Sequence, residues 1–191
     1  MGAALLVGLS GCALLGGGAA PSPAYDLTAP HDFGTGFRGS RGQLIVTEPT
    51  ALAVLDSDKI VVRAPSGEIA TAGGAQWRDR LPKLMQERIV QTFENAHRMR
   101  GVGVPANNLT GDYQLIIDIR RFEISVTNTP VAEVEFTAKI VSGQTGRIVS
   151  ANVFHASAPA TSAEGQAAAF ALDAAFGKAV VGLVRWAARL V

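Results

Sequence analysis

The period of hydrophobic positions changes several times along this chain, and each change marks an element. Gln43-Leu44-Ile45-Val46-Thr47-Glu48 reads as a strand stopped by Pro49. Lys59-Ile60-Val61-Val62-Arg63 is β-branched and bounded by Pro65-Ser66-Gly67, which predicts a second strand. Glu68-Ile69-Ala70-Thr71 is its expected hairpin partner, ended by Gly73-Gly74. From Trp77 to about Arg98 the period becomes helical. Leu81, Leu84, Met85, Ile89, Phe93 and Ala96 fall on one face. Pro82 suits the first turn, where a missing N–H is harmless, and Gly101 and Gly103 are expected to close the segment.

Alternation then returns. Tyr113, Leu115, Ile117 and Ile119 alternate with Gln114, Ile116, Asp118 and Arg120. Val134, Phe136, Ala138 and Ile140 alternate with Glu133, Glu135, Thr137 and Lys139. Ser142 to Gly146 is a turn, and Arg147 to Ala156 is a return strand, so these two predict a hairpin. Ala163 to about Leu190 reads as a long helix with Phe170, Ala174, Phe176, Val180, Leu183, Val184 and Ala187 as its apolar side. The expected fold class is α+β, a mostly antiparallel sheet with two amphipathic helices packed on one face.

The N-terminal region follows other rules. Leu5-Leu6-Val7-Gly8-Leu9-Ser10-Gly11 is an apolar run too short to span a bilayer, and it ends at Cys12, the single cysteine. Leu9-Ser10-Gly11-Cys12 has the small-residue pattern of a lipobox, so Cys12 is the expected lipidation site. The expected organisation is a signal peptide over 1–11, the lipidated Cys12 with a tether and loop over 12–42, and an α+β domain over 43–191. Tyr25-Asp26-Leu27 is a candidate edge strand inside the loop. No Lys or Arg precedes Cys12, so the positively charged start of the signal peptide is expected upstream. Ala13 rather than Asp follows Cys12, which favours the outer over the inner membrane.

Composition narrows the function. Of 191 residues, 48% are hydrophobic and 17% charged, enough for one packed core. A net charge of +1 gives no electrostatic footprint for nucleic acid. Asp173, Lys178, Arg185 and Arg189 interrupt the C-terminal segment, which therefore is not expected to span a membrane.

Candidate chemistry is sparse. His31, His97 and His155 have no metal-ligand spacing, and no nucleophile elbow occurs. Glu133 and Glu135 share one strand face, where solvated charges are commoner than an acid–base pair. Gly34-Thr35-Gly36-Phe37-Arg38-Gly39 matches G-x-G-x-x-G in letters, but a polar stretch precedes it and a strand follows. Trp77 is expected to cap the core, and Trp186 to face core, rim or partner. Asn108-Leu109-Thr110 is a glycosylation sequon by letters only. No enzyme activity, cofactor or metal is expected.

The order of motifs resembles a known family. The lipobox is followed by Tyr25-Asp26-Leu27 and Lys59-Ile60-Val61-Val62-Arg63. Next come Trp77-Arg78-Asp79-Arg80-Leu81-Pro82-Lys83-Leu84-Met85-Gln86-Glu87-Arg88, Tyr113-Gln114-Leu115 and Arg121-Phe122-Glu123, then an Ala- and Phe-rich helix. The chain resembles the ABC-type transport auxiliary lipoproteins, the PqiC-like lipoproteins of MCE-type (mammalian cell entry) transport systems. The glycine-rich stretch at 34–42 departs from the pattern as an apparent insertion. The resemblance implies a non-enzymatic periplasmic lipoprotein. Its expected partners are an MCE-domain substrate-binding protein, an ABC permease and an ATPase, and a homo-oligomer is compatible with it. Such systems move lipids or other hydrophobic molecules between the two membranes. A lipid carrier with its own apolar cavity is the alternative, and an envelope hydrolase is a third reading.

Overall fold

A computed structural model describes residues 22–34, 39–105 and 110–191. Nine strands and two helices follow in order: β1 (Ala24–Tyr25), β2 (Gln43–Val46), β3 (Thr50–Ala51), β4 (Lys59–Arg63), β5 (Ile69–Trp77), α1 (Leu81–Ala96), β6 (Gly101–Gly103), β7 (Tyr113–Val126), β8 (Pro130–Ser142), β9 (Ile148–Pro159) and α2 (Gly165–Ala187). The α+β class holds. The sheet is mixed: its long ladders, β7 with β8 and β8 with β9, are antiparallel, but β2, β3 and β4 join β7 in parallel. Those parallel pairings join segments about 60 residues or more apart in the chain, and no local pattern announces them.

β7 organises the sheet. β8 occupies one edge of β7 along its whole length. The other edge is shared in turn by β2, β3 and β4. One β-bulge at Arg120 interrupts the β7–β8 ladder: Ile119 lies opposite Phe136 and Arg121 opposite Glu135. The bulge shifts the phase of alternation, so Leu115, Ile117 and Ile119 before it and Phe122 and Ile124 after it all lie buried.

Some boundaries differ from expectation. β5 runs through Gly73-Gly74 to Trp77; Gly74 has φ +66°, a conformation that glycine adopts without strain. The helix therefore starts at Leu81, with Pro82 in its first turn, and Trp77 ends a strand. Gly101 and Gly103 belong to the edge strand β6 and do not cap the helix; His97, with φ 49°, holds the left-handed C-cap position.

Both helices contribute to one core with the inner sheet face. All six predicted apolar residues of α1 are buried. On α2, Phe176, Val180, Leu183, Val184 and Ala187 are buried as expected, but Phe170 and Ala174 are exposed. The buried stripe is rotated to include Leu172 and the small Ala168, Ala175 and Ala179, which let the helix approach the sheet. α2 is long and apolar enough to cross a membrane, yet over half of it is buried here as the core helix. Its apolar stripe packs on β8 and β9, where Phe154 stacks between Phe136 and Trp186.

The 12–42 span was expected to be tether and loop. From Ala24 onward it packs on the domain. β1 pairs in parallel with Gln76 and Trp77 of β5, and Leu27 and Phe33 are buried. Residues 24–33 run between the two helices as a strap. Arg88 and Asn95 of α1 bind Asp26 and the carbonyls of Ala29 and Pro30. Asp173 of α2 accepts from the Thr28 amide and hydroxyl, and Arg185 donates to the Phe33 carbonyl.

Asp26 is the hub of this strap. Partial burial works to raise its pKa, but the hydrogen bond and charge of Arg88, the Leu27 amide and Arg78 together hold it below the ordinary carboxylate value. A lowered folded-state pKa stabilises the fold above the unfolded value near pH 4, and that contribution disappears as pH falls through the folded value. Asp26→Asn should therefore loosen the strap at pH 7, with the difference from wild type closing below pH 4. Hydrogen exchange of residues 24–30 reads this; a difference that does not shrink as pH falls below 4 would contradict it.

Candidate interaction surface

The surface available for docking is set by how the sheet ends. One side ends in the short pieces β1, β3 and β6 and in the part of β5, Ile69 to Ala75, that β1 leaves uncovered beside the start of α2. The other ends in β9, a strand of 12 residues that pairs, among the described residues, with β8 alone. At about 3.3 Å per residue this edge is roughly 40 Å long. Its residues, Ile148 to Pro159, carry no charge except on protonation of His155. Natural edges of this length are usually blunted by charge or proline. Lys178 of α2 supplies one such block by donating to the Ser157 carbonyl at 2.9 Å.

The side chains of β9 divide by register. Phe154 faces the helices. Val153 lies opposite Thr137 and Ala151 opposite Lys139, on the face away from the helices. Ile148 and Val153 on this side are 59% and 47% exposed, and Val149, which a β-bulge leaves without a partner on β8, is 47% exposed. A free row of N–H and C=O groups beside exposed aliphatic side chains can accept an added strand.

The outer sheet face also carries charged pairs. Glu135 pairs with Arg120 at 3.2 Å, and His155 Nε2 lies 2.5 Å from Glu133. The two glutamates are thus in separate pairs. Glu133 stands directly opposite Glu123, a repulsive arrangement relieved by Arg63. Arg63 binds Glu123 through two parallel hydrogen bonds of 2.6 and 2.8 Å. Those bonds and the Glu123 charge raise the Arg63 pKa above its ordinary value.

Other sequence candidates are scattered. Trp77 is buried and meets Phe122 edge-on at 5.7 Å, as a core residue. Trp186 is half-buried against Phe154. His31 is exposed on the strap and His97 caps α1, so the three histidines do not meet. Among the described residues no group of three His, Cys, Asp or Glu could hold a metal. Cys12 and the 1–11 segment lie outside the described residues, as do residues 35–38 of the glycine-rich stretch and Asn108 and Leu109 of the sequon. Two open clefts of about 330 and 350 Å³ lie where Gly42, Tyr113 and Ser142 meet and where Ile45, Gln114 and Gly143 meet. Both mix polar and apolar walls, unlike the enclosed apolar cavity of a carrier. Sequence reading missed the β9 edge, because pairing order is not local. It also missed the strap, because its apolar residues have no period.

Known proteins are similar to this chain in sequence or in fold. A protein of Bradyrhizobium diazoefficiens with no characterised function is 33% identical over 180 residues, 93% of this chain; the chain spans 48% of that relative's length. A crystal structure from Xanthomonas campestris is 27% identical, covers 89% of this chain and 95% of its own, and has a TM-score of 0.75. A second crystal structure, of an uncharacterised protein, has a TM-score of 0.64 at 14% identity over 87% of this chain and 99% of its own, a likeness of fold alone. The family model of the ABC-type transport auxiliary lipoprotein component matches residues 25–183, beginning in β1 and ending in α2. From the strap to the core helix, the chain belongs to the ABC-type transport auxiliary lipoprotein component family.

Proposed function

We propose that this protein is a non-enzymatic adaptor, lipid-anchored through Cys12 on the periplasmic side of the envelope. It serves an MCE-type ABC system that moves lipids or other hydrophobic molecules between the two membranes, and its anchor sits in the outer membrane. Its partners are the MCE-domain protein, the permease and the ATPase of that system. The observation that carries the docking role is the β9 edge, about 12 residues long and almost uncharged. Strand addition there supplies main-chain affinity, and Val149 and Val153 supply apolar contact. The family membership and the lipobox support the anchor and the transport setting.

The test is a pull-down from crosslinked membranes with tagged protein. Wild type should recover the MCE-domain protein or the permease. Val149→Lys with Val153→Lys should weaken recovery about tenfold, equivalent to about 1.4 kcal/mol. Both side chains are exposed, so stability should change by less than about 0.5 kcal/mol per site. Undiminished capture by the folded double variant would remove the edge as the docking site. Capture of no transport component by a monomer that carries co-purified lipid would favour the carrier.

A further inference from the structure

We infer that the surface where the chain leaves the domain toward Cys12 lies against the bilayer that holds the anchor, with the Phe170 ring in its interfacial layer. This rests on the lipoprotein reading above. Phe170 is 58% exposed, whereas Leu172, Phe176, Val180, Leu183 and Val184 of the same helix are buried. Its ring meets Tyr25 edge-on at 6.1 Å. Tyr25 lies in β1, three residues after Ser22, where the described chain begins. The exposed aromatic of α2 therefore marks the point of exit toward the anchor.

The strip at this point carries no charge of its own and is rimmed by charges: Asp26, Arg78, whose amide donates to the Tyr25 carbonyl, and Glu164, whose carboxylate would lie 3.8 Å from a Cβ at Gly73. Pro23, Ala24 and Tyr25 carry no charge, and neither does any residue of β5 from Ile69 to Trp77. β1 covers β5 only at Gln76 and Trp77, so the β5 edge from Ile69 to Ala75 takes no other strand among the described residues. This stretch adjoins the start of α2: a Cβ at Gly74 would lie 4.0 Å from Gly165. An uncharged strip with one protruding aromatic ring and charges at its rim suits the interfacial zone of a bilayer, where the ring enters and the charges stay among the headgroups.

Chain length selects the occupant. Ten Cα steps separate Cys12 from Ser22. They span at most about 33–36 Å when extended. An acylated Cys12 thus keeps this patch near the headgroups of its own membrane. The opposite edge of the sheet, β9, stays available to a partner.

The test uses the full chain carrying Gln166→Cys, one turn before Phe170 on the exposed side of α2. After export Cys12 is acylated and unreactive, as intact mass verifies, so an environment-sensitive dye labels position 166 alone. The protein is reconstituted into phosphatidylethanolamine–phosphatidylglycerol vesicles. The expected result is a blue-shifted, brighter emission at 166 that bilayer-borne spin labels quench, with a dye at Val153→Cys remaining water-like. Phe170→Ser in the Gln166→Cys background should remove most of the quenching, with folding confirmed by near-ultraviolet circular dichroism. A water-like dye at 166 in protein that floats with vesicles overturns the inference and leaves the anchor intact. Protection in native envelopes but not in pure lipid would assign the patch to a protein partner and overturn it as well. Unmodified Cys12 and failure to float would remove the anchor reading and the inference with it.

Discussion

Phe176→Ala should destabilise the domain by about 3–5 kcal/mol, the cost of truncating a buried aromatic. Phe176 is fully buried where α2 crosses the centre of the sheet. Its ring lies 6.2 Å from Phe122, which in turn meets Trp77 edge-on. The void would open between a helix and a sheet pinned by long ladders, so little can collapse into it. For a domain of this size the loss corresponds to a melting-point drop of roughly 10 °C. Urea unfolding should show a lower midpoint with an unchanged slope. Phe170→Ala, at an exposed site of the same helix, is the control and should cost less than about 1 kcal/mol. A loss below about 1 kcal/mol at Phe176 would refute the packing described for α2.

Arg63→Ala should cost about 2–4 kcal/mol. The Glu123 side chain is 3% exposed and depends on the Arg63 fork for its compensation. Removing that fork leaves a buried carboxylate facing Glu133 across the ladder. The estimate sits below that for a fully enclosed pair because Arg63 is itself 39% exposed and water can replace part of it. Arg63→Lys keeps the charge but loses the parallel hydrogen bonds, and should fall between wild type and alanine. Glu123→Gln added to Arg63→Ala should recover much of the loss, because it removes the orphaned charge. Equal stability of Arg63→Ala and wild type in urea titration would show that the pair contributes nothing.

The sequence made local order legible and long-range order illegible. Alternation located β7, β8 and β9, and helical periodicity located α1 with every core residue on the correct face. Tyr25 was readable as an edge strand, and it pairs as β1. The packing of Leu27 and Phe33 was not readable. They sit among prolines and polar residues, and the strap's hydrogen-bond partners Asp173 and Arg185 lie about 145 and 152 residues away. The rotated stripe of α2 escaped because alanine carries little periodic signal, and the exposed Phe170 outweighs it in the pattern. The Arg63–Glu123 pair lay in two quoted motifs, but only the parallel register of β4 on β7 brings them together. Residue types could not reveal the free edge of β9, because an edge is defined by the strand that does not follow.

The bulge at Arg120 makes β7 unequal in its response to lost residues. Elsewhere in the strand, deleting one residue would reverse the faces of everything on one side of the cut. Phe122 and Ile124 would turn to water, and Glu123 would turn inward. Deleting Arg120 would instead erase the bulge and leave Ile119, Arg121 and Phe122 in regular alternation, at the cost of the exposed ion pair with Glu135. One position in the central strand is thus spare in length, and its neighbours are not.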